Sequence, residues 1–196
     1  MLLTLPTHSE CNRSYEQDEE YFVAALTPSI MDSPTAFARV NEIMGAYRER
    51  KNEGLVRKVL TEWDWNPPEI QLKPGQVAKR FDGERVRRIV WKIVRGLHFH
   101  HSYRVLPEET PHVIDHRWPE AELPEQYSYI QSQELMGRYK EVLAYQCGIF
   151  PELGGMQYWA LCFWSRLSFF VAFHGIDCTC HVCVASRISA ENSQNG

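Results

Sequence analysis

The stretch QYWALCFWSRLSFFVAF, residues 157–173, decides the fold class of this chain. Its large apolar residues recur at every second position on either side of Ser165-Arg166, a period typical of β-strands. The residues of the two alternating series are Trp159, Leu161 and Phe163, followed by Leu167, Phe169, Val171 and Phe173. The stretch therefore predicts two strands of a buried antiparallel hairpin.

Residues 82–98 have the strongest helical periodicity in the sequence. The apolar positions, spaced i, i+3, i+4, i+7, i+8, i+11, are Val86, Ile89, Val90, Ile93, Val94 and Leu97. This spacing places all of them on one face of a helix. The opposite side carries a basic stripe of Arg85, Arg88, Lys92 and Arg95. The basic stripe is a candidate phosphate-contacting surface for nucleic acid, and the alternative is the ordinary solvated face of a core helix.

Two earlier helices are predicted from their first residues. Ser14 is placed to cap a helix that begins near Tyr15, and Ser33 with Pro34 marks the start of a second helix. Apolar residues recur in this second helix at steps of three or four, at Phe37, Val40, Met44 and Tyr47. A further helical pattern covers residues 131–143.

Together these patterns predict an α+β fold, mainly helical over the N-terminal two-thirds and ending in the aromatic antiparallel hairpin. We expect the hairpin to pack against the 82–98 helix. One domain covering residues 1–174 is the natural prediction for a chain of 196 residues with 44% apolar content. Residues 175–196 are polar near their end and are predicted to form a tail, which could be disordered.

Charge and composition narrow the function classes. A net charge of -4 argues against a nucleic-acid binder that uses its whole surface, so any such contact needs a local basic patch. The sequence shows no signal peptide and no apolar run long enough to span a bilayer. Six cysteines without an export signal are typical of thiols or metal ligands, which predicts a cytoplasmic protein without membrane contact.

The segment LLTLPTHSECNRSYEQDEEYF, residues 2–22, contains half of a candidate metal site. His8 and Cys11 have the x2 spacing with which a tight turn directs two ligands at one zinc ion. A second pair of ligands would have to precede Met1. The sequence therefore predicts one arm of a zinc knuckle.

This segment resembles the second knuckle of the zinc-knuckle branch of the HNH endonucleases, small bacterial proteins in which Cys-x-x-Cys-Asn is followed by a Ser-rich, acidic helix start. His8 stands where the family usually has Cys, and the first knuckle and the Asp-His-x-x-Pro strand are missing. The resemblance extends through the basic stripe and the aromatic strands to about His174. It implies an incomplete ββα-metal motif, with residues 1–14 as its remnant. It also implies His8 and Cys11 as zinc ligands and Asn12 as a motif residue.

The resemblance implies metal-dependent phosphodiester hydrolysis in the complete family, with structural zinc and catalytic magnesium or manganese. Whether this chain is an enzyme depends on the missing part, because no residue present can be assigned as the water-activating His. We therefore expect this chain to be inactive alone. The alternative hypothesis is a noncatalytic nucleic-acid or protein interaction domain that uses the 82–98 helix.

Three other groups of residues are candidates for a catalytic or metal-binding site. Asp115-His116-Arg117-Trp118-Pro119 has the Asp-His-x-x-Pro form of a catalytic strand, but no knuckle follows it. A histidine group could form a metal site, or could be polar residues of a helix end and a loop; its members are His98, His100, His101, His112 and His116.

The tail carries the third group. Its potential ligands are His174, Cys178, Cys180, His181 and Cys183. Cys180 and Cys183 could complete a zinc site with His8 and Cys11 if the two ends of the chain meet. The alternative is that the tail is an unrelated extension without a metal.

Overall fold

The structure is a computed structural model that describes residues 9–49, 53–69, 71–74, 77–117, 125–151 and 155–175, with the side chains of Cys11, Glu125 and Gln126 outside the description. The chain divides into two compact units, Met1–Ile93 (unit 1) and Val94–Gly196 (unit 2). Helices dominate unit 1 and an antiparallel sheet dominates unit 2, so the predicted α+β class is confirmed. The prediction of one domain over residues 1–174 stays a prediction.

Unit 1 is built from short helices and one small strand pair. Its described elements are α1 (Ser9–Leu26), a 3-10 helix (Thr27–Ile30), α2 (Pro34–Arg48), α3 (Glu53–Thr61), β1 (Trp63–Asp64), β2 (Ala78–Lys79) and the first part of α4 (Gly83–Ser102). β1 and β2 pair antiparallel. Pro34 begins α2 as predicted, whereas α1 begins at Ser9 rather than near Tyr15.

The helix α4 confirms the strongest helical pattern of the sequence and extends it to Ser102. Asp82 caps its start, because the Arg85 N–H donates to Asp82 Oδ1 over 3.3 Å. At its end the Ser102 hydroxyl donates to the carbonyl oxygen of His98 over 2.7 Å. The periodic apolar residues that are buried are Val86, Ile89, Val90, Val94 and Leu97.

Unit 2 contains a four-stranded antiparallel sheet in the order β3-β6-β5-β4. Its strands are β3 (His112–Arg117), β4 (Leu143–Phe150), β5 (Met156–Phe163) and β6 (Leu167–His174). The predicted hairpin is β5–β6, paired so that Trp159 lies opposite Val171. The prediction of a helix over residues 131–143 is wrong. A 3-10 helix (Glu125–Ser132) occupies the start of that range and β4 begins at its end.

The sheet of unit 2 is covered on both faces. On one face, near the end of α4, the His98 ring lies 6.0 Å from that of Phe173 and the His101 ring 6.0 Å from that of Trp159. These two contacts join the hairpin to the C-terminal end of α4 within unit 2, and the predicted packing of the hairpin on the rest of the 82–98 helix stays a prediction. On the other face the 3-10 helix contributes Tyr127 and Ile130 to a core with Phe150, Tyr158 and Phe170.

The β5–β6 turn has an unusual backbone. Trp164 and Ser165 have φ angles of 51° and 59°, in the left-handed region that non-glycine residues rarely occupy. The Trp164 side chain is buried beside Phe163, and the backbone N–H of Trp164 donates to the carbonyl oxygen of Val142 over 3.0 Å. Packing and this hydrogen bond therefore hold a turn that neither residue type favours.

Candidate functional site

The basic stripe of α4 is engaged inside unit 1 by side chains of α1. Arg85 Nε donates to Asp18 Oδ1, and Arg88 Nη1 donates to Asp18 Oδ2, each over 2.6 Å. Lys92 Nζ lies 2.7 Å from Glu19 Oε1 and 3.0 Å from Asn12 Oδ1. Two carboxylates and one amide thus meet the three cations of the stripe that belong to unit 1.

Aromatic rings of α1 cover the same cations. The guanidinium carbon of Arg85 lies 4.4 Å from the ring centre of Tyr21, and that of Arg88 lies 4.3 Å from the centre of Tyr15. Lys92 Nζ also lies over Tyr15, at 4.7 Å. Each of these cations therefore contacts both a carboxylate and an aromatic ring of α1. This arrangement stabilises the packing of α4 on α1 within unit 1.

Arg95, the last residue of the basic stripe, is engaged within unit 2. Its Nε donates to the carbonyl oxygen of Leu106 over 2.8 Å, and its Nη1 lies 3.6 Å from Glu108 Oε2. All four cations of the stripe therefore have protein partners. Their use for nucleic acid stays a prediction, and any phosphate would have to compete with these partners.

A second polar network in unit 1 was not predicted from the sequence. The Tyr21 hydroxyl donates to Glu62 Oε1 and accepts from the Asp82 N–H, each over 2.6 Å, and Lys79 pairs with Glu62. Burial raises the pKa of Tyr21 above its ordinary value. The hydrogen bond from Lys58 lowers the pKa of Asp82. These partners are 41 and 61 positions apart for Tyr21, so no local pattern signals them.

The predicted zinc knuckle falls mostly outside the described residues. His8 lies outside them, and so does the side chain of Cys11, although the backbone of Cys11 and Asn12 belongs to the helical start of α1. Asn12 contacts Lys92 through its side-chain oxygen. Among the described residues no group of three or more His, Cys, Asp or Glu side chains could hold a metal ion. Zinc at the knuckle and magnesium or manganese at a catalytic site stay predictions.

The histidines of unit 2 are distributed over its helix end and edge strand. His98 is buried with Nδ1 3.1 Å from the carbonyl oxygen of Arg104, and His101 Nε2 lies 2.9 Å from the Tyr145 hydroxyl. Burial lowers the pKa of both rings. His112 and His116 are in β3, where the His116 ring lies 6.3 Å from that of Phe169. Within the described part of unit 2 these rings serve packing rather than one ligand set.

The Asp-His-x-x-Pro pattern begins in β3. Asp115 Oδ2 accepts hydrogen bonds from Arg117 Nε at 3.0 Å and Arg117 Nη2 at 2.7 Å. His116 points to the opposite face of the strand, because neighbouring residues alternate. Trp118 and Pro119 lie outside the described residues, as do Cys178, Cys180, His181 and Cys183 of the tail.

Two free thiols lie on the sheet, at Cys147 and Cys162. Burial raises the pKa of Cys147 to about 11 and also raises the pKa of Cys162. A thiol with a raised pKa is protonated at neutral pH, so neither is an activated nucleophile.

The described surface of unit 1 carries an apolar stripe on α2, made of Phe37, Val40, Met44 and Tyr47, which we call the α2 stripe. Phe37 is 51% exposed, Met44 36% and Tyr47 37%, and Val40 is half-buried. Of the described α2 residues only Ala36 is fully buried. The sequence signals this stripe as helical, but its exposure follows only from the structure.

A cleft lies on another side of α2, between α1, α2 and α3. Its volume is about 140 Å³. The residues that line it are Glu20, Val23, Ala24, Arg39, Glu42, Ile43, Ala46, Leu55 and Val56.

Comparison of the chain with protein families, with curated proteins and with solved structures found no match. Within the described residues, every helix is too short or too polar to cross a membrane.

Proposed function

We propose that this protein is a noncatalytic protein-interaction domain whose contact surface is the α2 stripe and whose partner contributes one amphipathic helix. The supporting observation is a contrast between two helices of the chain. The helix α4 buries most of its periodic apolar residues, whereas α2 keeps Phe37, Met44 and Tyr47 at least 36% exposed. Grouped apolar side chains at the surface are typical of interaction sites.

The spacing of the α2 stripe favours a helical partner. Its residues are alternately three and four positions apart, from Phe37 through Val40 and Met44 to Tyr47. This is the a and d spacing of two heptads, with which one helix packs its side chains between those of another. An extended peptide would need a sheet edge or alternating pockets instead.

The size of the α2 stripe favours a transient contact over a stable dimer. A whole aromatic side chain offers roughly 150–250 Å², so the exposed parts of Phe37, Met44 and Tyr47 sum to roughly 200–300 Å². Stable interfaces bury about 800 Å² on each partner. One short helix from another protein fits the available surface better than a second whole chain.

The basic stripe of α4 serves helix packing in this proposal. Its four cations already contact α1 carboxylates or unit 2 oxygen atoms, so we do not assign nucleic-acid binding to it. The nuclease hypothesis remains a separate prediction with its own tests. Its zinc knuckle requires bound zinc that is lost on Cys11→Ala substitution. Cleavage of plasmid DNA with magnesium or manganese is the direct assay, and we expect no cleavage by this chain alone.

A synthetic amphipathic helix tests the proposed function directly. We expect a labelled peptide of three heptads, with Leu at its a and d positions, to bind the protein with a Kd of about 10–100 µM by fluorescence anisotropy. The double variant Phe37→Glu and Met44→Glu should weaken this binding at least about tenfold, because charges would be buried in an apolar seam.

The matched control is Ile149→Glu, which places the same charge at an exposed apolar residue of unit 2 that is 65% exposed. It should bind the peptide like the unmodified protein. Circular dichroism checks that each variant is folded. Equal binding by the double variant and the control, or no binding by the unmodified protein, would contradict the proposal.

A further inference from the structure

We infer that the cleft between α1, α2 and α3 binds a small cationic amphiphile, namely an amine carried on a single aromatic ring or a short alkyl chain. This inference stands on the cleft alone and does not depend on the α2 stripe being an interaction surface. It uses only residues of unit 1.

The walls of the cleft suit a small apolar group. They are formed by the side chains of Val23, Ala24, Ile43, Ala46, Leu55 and Val56. The volume of about 140 Å³ is close to that of apolar cavities that take up a benzene ring. Because the cleft opens to solvent, a ring or alkyl chain placed there removes apolar surface from water, which is favourable.

The polar residues of the cleft select the charge of the ligand. Arg39 and Glu42 neutralise each other in an ion pair of 2.5 Å. Glu20 also lines the cleft and forms no salt bridge with any residue that the structure describes. The three residues therefore sum to one negative charge, which attracts an ammonium group and repels a carboxylate.

The ligand should enter with its apolar part against α3 and its ammonium group near Glu20. The α3 residues of the lining, Leu55 and Val56, are both apolar, whereas Glu20 of α1 carries its unneutralised charge. Because Glu20 is exposed, water and salt weaken its attraction. The charge preference should therefore be modest and should decrease at high ionic strength.

Benzylamine, benzyl alcohol and benzoate form a probe set that tests both parts of the inference. Methyl NMR signals of Val23, Ile43 and Leu55 would be followed during titration of the full chain. We expect benzylamine to bind with a Kd on the order of 1 mM, as its few heavy atoms allow. Benzoate should bind roughly three- to tenfold more weakly, and benzyl alcohol should lie between them.

Two variants separate the apolar and charged contributions. Ala46→Leu should fill the cleft and abolish binding of all three probes while the protein stays folded. Glu20→Gln changes an exposed side chain, so it should keep benzyl alcohol binding and reduce the preference for benzylamine over benzoate to less than about twofold.

Four results would overturn the inference. These are no shift of the cleft methyl signals with benzylamine, equal binding of benzylamine and benzoate, an undiminished preference in the Glu20→Gln variant, and unchanged binding by a folded Ala46→Leu variant.

Discussion

Units 1 and 2 both bury apolar side chains, but unit 1 adds to its apolar core a network of ion pairs and cation–ring contacts between two helices. In unit 1, α1 is attached to α4 through Asp18, Glu19 and two tyrosine rings placed over cations. In unit 2, strands and a 3-10 helix share a core of aromatic side chains such as Tyr127, Tyr158 and Phe170. Charge-based contacts weaken with salt and protonation, whereas apolar contacts depend mainly on buried area. Salt should therefore weaken the ion pairs of unit 1 more than the aromatic core of unit 2.

The largest expected effect is a cavity in unit 2. Leu161 is fully buried in the central strand β5, so Leu161→Ala should lower the free energy of unfolding by about 3–4 kcal/mol. Hydrogen exchange measured peptide by peptide would show the loss in β4, β5 and β6. The loss should be the same in low and high salt. A salt-dependent loss would show that charge contributes to the packing of the sheet.

A smaller loss is expected when the ion-pair centre of unit 1 is neutralised. The Asp18 side chain is 12% exposed and accepts from two arginines, so Asp18→Asn should cost about 1–2 kcal/mol. The cost should shrink in 1 M salt. Chemical unfolding at two salt concentrations measures it, and Glu16→Gln, an exposed change on the same helix, is the control. An equal cost in both salts would make Asp18 a packing residue only.

Acid should affect the two units in different pH ranges. Burial lowers the pKa of His98 from its ordinary 6.5, and the Lys58 hydrogen bond lowers the pKa of Asp82 from 3.8. A group with a lowered pKa contributes stability above its unfolded pKa and loses it as the pH falls through the folded pKa. Unit 2 should therefore weaken below pH 6.5, and the Asp82 contribution in unit 1 should be lost only below 3.8.

Assigned NMR signals of each unit, followed during an acid titration, measure this difference. The variant His98→Gln should reduce the pH dependence of unit 2 between neutral and mildly acidic pH, and the double variant His98→Gln with His101→Gln should remove most of it, because burial lowers the pKa of both rings. If the signals of unit 1 change first, or if His98→Gln leaves the profile of unit 2 unaltered, the assignment of the two pH ranges is wrong.

The smallest expected effect is a gain of stability at the β5–β6 turn. Ser165 is exposed and has a φ of 59°, so Ser165→Gly should relieve backbone strain and stabilise unit 2 by about 0.5–1 kcal/mol. Thermal unfolding of the variant measures the gain. Arg166→Ala, at the neighbouring turn residue outside the left-handed region, should not stabilise the protein. A loss of stability on Ser165→Gly would mean that the serine side chain supports the turn.

The sequence predicts those elements of the fold that have a regular pattern of apolar residues within one continuous segment. The periods of α4 and of β5–β6 are each contained in fewer than about twenty-five residues, and both were predicted with nearly correct ends. The edge strands β3 and β4 were missed, because their polar residues and Gly148 interrupt the alternation. Their pairing depends on partners elsewhere in the chain, such as Phe169 opposite His116.

The candidate surfaces were less predictable than the fold. The basic stripe was identified correctly as one helix face, but its carboxylate partner Asp18 lies 67 positions from Arg85. The α2 stripe was recognised as helical, and only tertiary packing determines that Ala36 rather than Phe37 is buried. The cleft arises from three helices and has no signature in any one of them.

The distance along the chain between Asp18 and Arg85 has a consequence for synthesis on the ribosome. The 67 residues added after Asp18, up to and including Arg85, take roughly 3–13 s to translate at about 5–20 residues per second. During that interval Tyr15, Tyr21 and Asp18 of α1 lack the α4 cations that contact them in the folded protein. The hairpin β5–β6 has no such delay, since its second strand leaves the exit tunnel directly after the first.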